Sequence, residues 1–560
     1  MSNDIIKLVE HSKTHQKNNP QQTFDRTFFI DASNQSLTTI PLKILELKEL
    51  EEVHLENNQI EEIPQDIQHL QNVKILYLNK NKLSKLCPEL GNLSNLEGLD
   101  LSDNPLLSSS LQVLSCNRKL RELRLYNVHL GEIPTVICKS LHHLELLGLS
   151  KNHLKSLPTE TVNQTKLREI YLKQNQFEVF PPELCVLYNL EVIDLDENKL
   201  TVIPEDIGNL RGLQKFYVAH NSLHFLPESL CQCSKLSVLD LSDNRLHSLP
   251  HTLEGLSEMT EVGLSGNPLE KMPRLVCKWT SLHLLYLRNT GLLGLRRSLR
   301  RLVNLRFLDL SQNYLESCPL QLCALKNLEI LALDDNKIRQ LPSDFGSLSK
   351  LKILGLTGNQ FVSFPEEILS LESLEKLYIG QDQGSKFTHV SEHIWRLQNL
   401  KELYIENNHL EYLPVSLRAL PNLKILDCRH NLLKQLPDAI CQAQALKELL
   451  LEDNLLTHLP ENLDYLVNLK VLTLMDNPME DPPIDVCTEG REAILTYLKE
   501  KRKMKIMATK IQAWWRAMMV RKGLGRFEEL AKLRKKGKGS PKDKKGKKDV
   551  KEKPVKGKKK

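Results

Sequence analysis

A repeat of 23 residues runs through most of this chain. Aligned on leucine, its copies share the pattern LxxLxLxxNxLxxLP, where x is any residue. Residues 236–250 read LSVLDLSDNRLHSLP and residues 446–460 read LKELLLEDNLLTHLP. A fixed period overrides the expectation that 560 residues form several domains, because each unit buries its apolar face only against the next unit. We therefore predict one elongated stack of about twenty repeats over residues 27–485.

The asparagines of successive repeats are predicted to stack in one row along the chain of repeats, and we call this row the ladder. Each amide lies where the chain leaves the strand, so it can bond backbone groups that would otherwise be buried without partners. The proline six residues later prevents the next segment from extending as a helix. Four copies have Gln35, Val128, Thr290 or Asp382 instead. The asparagines are Asn58, Asn81, Asn104, Asn152, Asn175, Asn198, Asn221, Asn244, Asn267, Asn313, Asn336, Asn359, Asn408, Asn431, Asn454 and Asn477.

The pattern resembles the leucine-rich repeat, whose units are about 20–29 residues long. The resemblance implies an α/β fold, a horseshoe-shaped solenoid whose concave side is a parallel β-sheet. Alternating leucines point inward from each strand, and the residues between them face the concave side. With strands about 4.8 Å apart, twenty repeats give a concave surface about 95 Å long. Such a surface favours a large or extended partner over a small substrate.

The outward position between the two strand leucines is rich in tyrosine and aspartate. Amphipathic rings beside carboxylates are typical of protein-binding surfaces, but both residue types are also tolerated on any solvated strand, so both interpretations stay open. Asp100 and Asp427 occupy the same position. The residues predicted for the concave partner face are Tyr77, Tyr171, Asp194, Tyr217, Asp240, Tyr286, Asp309, Tyr378 and Tyr404.

Seven of the twelve cysteines recur ten residues after the ladder position, with no partner position for a disulfide. A cysteine used repeatedly at one core position acts as a small apolar side chain, so we predict no metal and no cofactor. These cysteines are Cys138, Cys185, Cys231, Cys277, Cys323, Cys441 and Cys487.

No arrangement of residues predicts catalysis. Gly384, Ser385 and Lys386 faintly resemble a phosphate-binding loop, but the glycine spacing is wrong. His142 and His143 are adjacent and point to opposite sides of an extended chain. We therefore predict a protein that is not an enzyme.

Charge divides the chain into an acidic body and a basic end. Residues 499–531 carry +7 and residues 532–560 carry +13, so the total of +6 leaves −14 on residues 1–498. The polar segment 1–26 lacks the basic start and apolar core of a secretory signal, and no stretch approaches about eighteen consecutive apolar residues. We predict a cytoplasmic protein without a transmembrane segment.

Beyond the repeats the apolar period becomes helical. Residues 486–498 predict a cap over the open end of the solenoid, and residues 499–531 predict a basic helix. Its apolar side chains fall within an arc of about 100°. A basic helix with such anchors is the type of ligand that an acidic, methionine-lined groove accepts. The anchors are Met504, Met507, Ile511, Trp514, Trp515 and Met518.

Residues 511–524 of this helix match the IQ motif, with Ala517 in place of the usual glycine. The resemblance implies binding of calmodulin or a related EF-hand protein, often without calcium. It also implies a contact from Gln512 to the partner backbone and ion pairs from Arg516 and Arg521 to its acids. The residues predicted to bind are Ile511, which is the main apolar anchor, Gln512, Trp514, Trp515, Arg516, Met518, Arg521 and Leu524.

Alternatively, the basic helix folds back onto the acidic repeats and buries its two tryptophans there. We favour the calmodulin-type interpretation.

The order of repeats, IQ motif and lysine tail resembles that of intracellular leucine-rich-repeat proteins with a C-terminal IQ motif. The repeats also resemble the Ras-suppressor type of leucine-rich protein, which implies a signalling scaffold with a small GTPase or phosphatase as a possible partner class. Leucine-rich repeats specify a fold and leave the partner open. We therefore predict a noncatalytic protein-binding scaffold.

The lysine-rich segment 532–560 predicts a disordered tail, because it cannot bury a core. Its lack of aromatic residues argues against specific nucleic-acid binding. A second interpretation is that the tail anchors the solenoid to an anionic surface such as a membrane, a microtubule or chromatin. Raising the salt concentration distinguishes the calmodulin-binding scaffold from the electrostatic anchor, because purely electrostatic attachment weakens as salt rises whereas an apolar helix complex should largely survive.

Overall fold

The computed structural model describes residues 28–381 and 386–522. The predictions for residues 1–26, for Asp382, Gly384 and Ser385, for residues 523–531 of the basic segment, which include Leu524, and for the tail at 532–560 lie outside the described residues.

Twenty strands of three residues form one parallel sheet in the described ranges. Each strand pairs with the next one along the chain, so the sheet follows sequence order from β1 to β20. The strands β1 to β20 are, in order, Phe29–Asp31, Glu52–His54, Ile75–Tyr77, Gly98–Asp100, Glu122–Arg124, Leu146–Gly148, Glu169–Tyr171, Val192–Asp194, Lys215–Tyr217, Val238–Asp240, Glu261–Gly263, Leu284–Tyr286, Phe307–Asp309, Ile330–Ala332, Ile353–Gly355, Lys376–Tyr378, Glu402–Tyr404, Ile425–Asp427, Glu448–Leu450 and Val471–Thr473.

A second layer of short helices covers the opposite, convex side. Most follow the repeat proline, which fixes the backbone just before a five-residue 3₁₀ turn, as Pro250 does before His251–Gly255. Two turns are α-helical, α1 (Leu42–Leu45) and α2 (Thr135–Ser140). The 3₁₀ helices are Gln65–His69, Pro88–Asn92, Ser108–Cys116, Thr159–Asn163, Pro182–Val186, Glu205–Asn209, Glu228–Gln232, His251–Gly255, Arg274–Lys278, Arg297–Arg301, Leu320–Ala324, Ser343–Ser347, Glu366–Ser370, Glu392–Arg396, Val415–Ala419, Asp438–Gln442 and Leu463–Tyr465.

The repeat leucines fill the space between the two layers and form one continuous buried core. The ladder asparagines close it along one edge. Asn244 shows the arrangement: its side-chain N–H group donates to the carbonyl oxygens of Val218 and Leu241 at 2.9 Å, and its oxygen accepts from the N–H of Leu223 at 2.9 Å. One amide thus ties together backbone groups of neighbouring repeats that water cannot reach.

The cysteines at the recurrent position lie mainly in this core. Five of the seven are buried, while Cys231 and Cys487 are half-buried and pack against it. Burial raises the pKa of the thiol in each buried one, for example Cys441 to about 11, which keeps it protonated and unreactive at neutral pH.

Two helices close the C-terminal end, α3 (Ile484–Thr488) and α4 (Arg491–Lys522). Helix α4 begins eight residues before Lys499, so residues 491–498 of the expected cap and residues 499–522 of the basic segment lie on one continuous helix, while the start of the expected cap lies in α3. Its Ile494 and Leu498 are buried against the last repeats. The sheet order, the convex helices and the C-terminal helix confirm the predicted α/β solenoid.

Candidate binding surfaces

The predicted concave residues form one row across the sheet. Tyr77 pairs with Asp100, Asp194 with Tyr217, and Tyr378 with Tyr404 in the strand register. Side chains at paired positions on one face of a sheet are neighbours. All nine predicted residues are half-buried on this face, whereas Asp427, at the same position, is fully buried and ion-paired to Arg429 at 2.7 Å.

Several tyrosines of this row contact aromatic neighbours. The rings of Tyr378 and Tyr404 stack with centroids 4.6 Å apart and an angle of 10° between their planes. The ring centroids of Tyr286 and Phe307 are 4.7 Å apart. Burial, followed by the charge of Glu402, raises the pKa of the Tyr404 hydroxyl to about 12. The row therefore presents neutral, preoriented rings, which supply contact area at little cost in conformational entropy.

The aspartates of the same row have a local structural role that the sequence pattern did not reveal. The carboxylate of Asp240 accepts the backbone N–H of Ser242 at 3.0 Å, and that of Asp309 accepts from Ser311 at 2.9 Å. Asp194 accepts from the N–H two residues later at 3.1 Å. Each carboxylate thus satisfies a backbone donor at the end of its strand, which explains its recurrence without invoking a partner.

Two further aspartates lie one row beyond, toward the ladder. Burial raises the pKa of Asp196 to about 6, helped by the nearby charge of Asp194, and burial raises that of Asp334 to about 6. Their carboxylates accept the backbone N–H groups of Ala219 at 2.7 Å and Thr357 at 2.8 Å. The middle of the concave face therefore contains two half-buried carboxyl groups whose charge changes around pH 6.

Glycines create space for some of these side chains. A Cβ atom at Gly148 would lie 2.4 Å from Cζ of Tyr126, and one at Gly263 would lie 2.1 Å from a carboxylate oxygen of Asp240. Tyr126, which was not among the predicted residues, contacts Tyr171 edge-on with ring centroids 6.5 Å apart. The sequence signal for this residue was a glycine at the outward strand position, Gly148, that follows an aromatic residue of the preceding repeat, Tyr126.

The base of helix α4 is fixed to the last repeats by ion pairs. Arg502 forms a bidentate pair with Asp464, in which Nη1 donates to Oδ1 at 2.5 Å and Nη2 donates to Oδ2 at 2.6 Å. The guanidinium also lies 4.4 Å from the ring centre of Tyr465. Lys501 pairs with Asp481. One turn on, Lys505 pairs with Glu461 at 2.5 Å.

Beyond Lys505 the helix leaves the repeats. Ile511 is 63% exposed, Trp514 65% and Trp515 47%. Met518 is half-buried, and three further predicted residues, Gln512, Arg516 and Arg521, are exposed. The described part of the predicted binding set thus lies on one projecting helix, and its tryptophans are not packed against the repeats.

The described residues contain no helix long and apolar enough to cross a membrane. Within the same ranges, no group of three or more histidine, cysteine, aspartate or glutamate residues is arranged to hold a metal ion.

Family models match the repeat region. A "Leucine rich repeat" model matches residues 48–106, 118–177, 165–223 and 211–269, a "Leucine-rich repeat region" model matches residues 268–409, and a "Leucine Rich repeats (2 copies)" model matches residues 398–440.

Solved structures share the solenoid. The ectodomain of the Arabidopsis receptor kinase GASSHO1/SCHENGEN3 is 29% identical with a TM-score of 0.64, and the match covers 81% of this chain and 56% of that one. The Arabidopsis HAESA ectodomain, solved with an IDA peptide hormone ligand, is 27% identical with a TM-score of 0.55, and the match covers 80% of this chain and 77% of that one.

Two curated relatives match almost end to end. Human "Leucine-rich repeat and IQ domain-containing protein 4" is 81% identical over 544 residues, which is 97% of either chain. The mouse protein of that name is 79% identical over 560 residues, all of this chain and 94% of that one. These matches support a repeat-based protein-interaction scaffold. The chain belongs to the family of leucine-rich repeat and IQ domain-containing protein 4, which confirms the resemblance predicted from its sequence.

Proposed function

We propose that this protein is a noncatalytic signalling scaffold of the cell interior, which holds one protein on its concave face and recruits calmodulin or a related EF-hand protein to helix α4. The single observation that carries the proposal is the exposed apolar side of this helix around Ile511, Trp514 and Trp515. Soluble proteins rarely leave such large side chains uncovered on one helix face unless a partner covers them.

The fixed base of the helix supports the same proposal. Arg502 and Lys505 are tied to Asp464 and Glu461, while the residues from Ile506 onward project away from the repeats. A partner can therefore surround the projecting part without first separating it from the body. Because the helix is already formed, binding avoids most of the entropic cost of ordering the peptide.

The charge of the helix favours an acidic partner. The basic segment 499–531 carries +7, and exposed Arg516 and Arg521 follow the tryptophans on the helix. An EF-hand protein with an acidic, methionine-lined groove combines the two properties that this helix requires. We assign Ile511 as the main anchor, with Trp514, Trp515 and Met518 as adjoining contacts.

The experiment that tests this function is a calorimetric titration of calmodulin into the full chain, with calcium and with chelator, at about 0.1 M and about 0.5 M salt. We expect saturable one-to-one binding that persists at the higher salt, because apolar burial is not screened. Binding that disappears at the higher salt would favour attachment to anionic surfaces through the basic end. Absence of binding in every condition would refute the calmodulin part of the proposal.

The concave face is assigned to a protein partner on its stacked tyrosines. A suitable variant is Tyr378→Ala/Tyr404→Ala, and its matched control is Tyr188→Ala/Tyr314→Ala, which removes two exposed tyrosines elsewhere. Quantitative co-purification should lose the concave-face partner in the first variant and keep it in the second. Equal recovery of every co-purifying protein from both variants would contradict the assignment. A small GTPase or phosphatase as this partner stays a prediction from family resemblance.

A further inference from the structure

A strongly basic region interrupts the acidic body. Residues 271–308 contain nine lysines and arginines and no aspartate or glutamate, although residues 1–498 as a whole carry −14. The excess is concentrated on the convex side, in the 3₁₀ helices Arg274–Lys278 and Arg297–Arg301. These two 3₁₀ helices are separate from the concave face and from helix α4.

The repeat places these cations next to one another. Arg274 and Arg297 are 23 residues apart, as are Lys278 and Arg301, so each pair occupies equivalent positions on adjacent 3₁₀ helices. Arg296 takes the position that proline holds in most repeats, and its Nε–H donates to the carbonyl oxygen of Met272 at 2.6 Å. That contact fixes its guanidinium at the edge of the cluster.

Little negative charge offsets the cluster. Lys278 pairs with Glu254 at 2.8 Å, but among the described residues no carboxylate lies within ion-pair distance of Arg274, Arg297 or Arg301. Like charges on adjacent elements repel each other and destabilise the fold. An anion bound between them would remove this repulsion.

The cations line a cavity of about 450 Å³ between the two 3₁₀ helices, together with Cys277 and Ser298, and this cavity is open to solvent on one side. A larger cavity of about 710 Å³ adjoins it through Arg274 and Arg296 and includes Glu228 and several apolar side chains. Volumes of about 300–1,000 Å³ are typical of small-ligand sites. The smaller cavity, with five cationic side chains in its lining, is the one suited to a compact anion.

We propose that this convex cavity binds a compact polyphosphate group through Arg274, Arg296, Arg297 and Arg301. One guanidinium group can donate two parallel hydrogen bonds to two oxygens of a phosphate. Each phosphate carries up to two negative charges. Several phosphates held close together match the charge of the cluster, whereas a single carboxylate does not. The same chemistry occurs in a free polyphosphate and in a polyphosphorylated lipid head group.

The readout must be local, because the lysine-rich segment at 532–560 also attracts polyanions. We would measure backbone hydrogen exchange of the full chain with and without inorganic tripolyphosphate. Exchange within residues 274–301 should slow at least threefold at saturation, and orthophosphate at the same concentration should have a smaller effect. Vesicles containing phosphatidylinositol bisphosphate form the second arm, and stronger protection by them than by tripolyphosphate would identify the lipid as the source.

The decisive variant is Arg297→Glu/Arg301→Glu, and both side chains are exposed, so the fold should tolerate it. The matched control is Arg396→Glu/Arg418→Glu, which makes the same change on the convex helices of later repeats. We expect protection by either probe to be lost in the first variant and kept in the second. No protection of residues 274–301 in the unmodified chain, or equal protection in both variants, would overturn the proposal.

Discussion

Arg502 of helix α4 forms a bidentate ion pair with Asp464 of the last convex turn, with the Nη2 to Oδ2 distance at 2.6 Å. Both side chains are at least four-fifths buried at this contact. The pair joins the helix that bears the predicted IQ segment to the repeat body. The projection of the IQ segment therefore depends on a contact several turns earlier.

Replacing Arg502 by alanine should loosen the base of α4. A partly buried bidentate pair contributes about 1 kcal/mol, more than an exposed pair, which corresponds to about fivefold faster hydrogen exchange in residues 491–506. Lys503→Ala, at an exposed neighbouring position, is the control and should leave exchange unchanged. Equal exchange in both variants would show that the Arg502–Asp464 pair does not hold the base of the helix.

Replacing the ladder residue Asn267 by alanine should destabilise the solenoid by at least about 2 kcal/mol. Its amide donates to the carbonyl oxygens of Leu241 and Leu264 and accepts the N–H of Leu246, all at 2.9–3.0 Å. Asn267→Thr should cost less, because Thr290 occupies the same position naturally and donates to the carbonyl oxygen of Leu287 at 2.8 Å.

Urea unfolding followed by circular dichroism measures both ladder variants. The threonine variant should unfold at a higher urea concentration than the alanine variant. The reverse order would show that volume at this position matters more than hydrogen bonding.

Gly148→Ala should destabilise the concave face by about 1–3 kcal/mol, because its new methyl group would overlap the ring of Tyr126. Gly98→Ala is the matched control on another strand, since its nearest neighbour would be 3.7 Å away. The control should be neutral or slightly stabilising, because alanine restricts the unfolded chain. The midpoint of thermal unfolding should be measured for both variants. A similar fall of the midpoint in both would contradict the packing described for Tyr126.

Stability should depend on pH through Asp196 and Asp334. Burial raises both pKa values to about 6, above the unfolded value of about 3.9. Between about pH 4 and 6 the folded chain therefore binds more protons than the unfolded chain, and the free energy of unfolding falls as pH rises. Above about pH 6 this loss is complete.

The variant Asp196→Asn/Asp334→Asn removes both charges and keeps oxygens that can accept from the N–H groups of Ala219 and Thr357. Its gain in thermal midpoint should be largest at pH 7.5 and shrink toward pH 4. The exposed Asp206→Asn serves as control and should show no such trend. A gain independent of pH would exclude titration of these carboxyl groups as its cause.

The sequence predicted the architecture well, because one period determines strand, ladder and turn in every copy. Asn244 illustrates why: its three backbone contacts follow from its place in the unit. The role of Asp240 was not predictable from this pattern, because its hydrogen bond to the N–H of Ser242 depends on side-chain orientation at the strand end. The same limit applies to Tyr126, whose ring extends over the glycine of the next repeat.

The convex cavity also required the structure. The 23-residue spacing of Arg274 and Arg297 predicts that their 3₁₀ helices are neighbours, but the volume that Arg296 and Arg301 line between these helices is seen only in the structure. For helix α4, the apolar spacing predicted the helix and its apolar side, but not the ion pairs that fix its base, which join Arg502 and Lys505 to Asp464 and Glu461 about 40 residues earlier.

The most direct test of the central claim compares Ile511→Asp with Ile506→Asp in the titration of the full chain with calmodulin. Both isoleucines are exposed on α4, at 63% and 49%, and they lie about 140° apart around the helix. Only Ile511 lies on the side with the tryptophans. We predict at least about tenfold weaker binding, or about 1.4 kcal/mol, for Ile511→Asp and little change for Ile506→Asp. Equal affinities in the two variants would contradict recognition through this face of the helix.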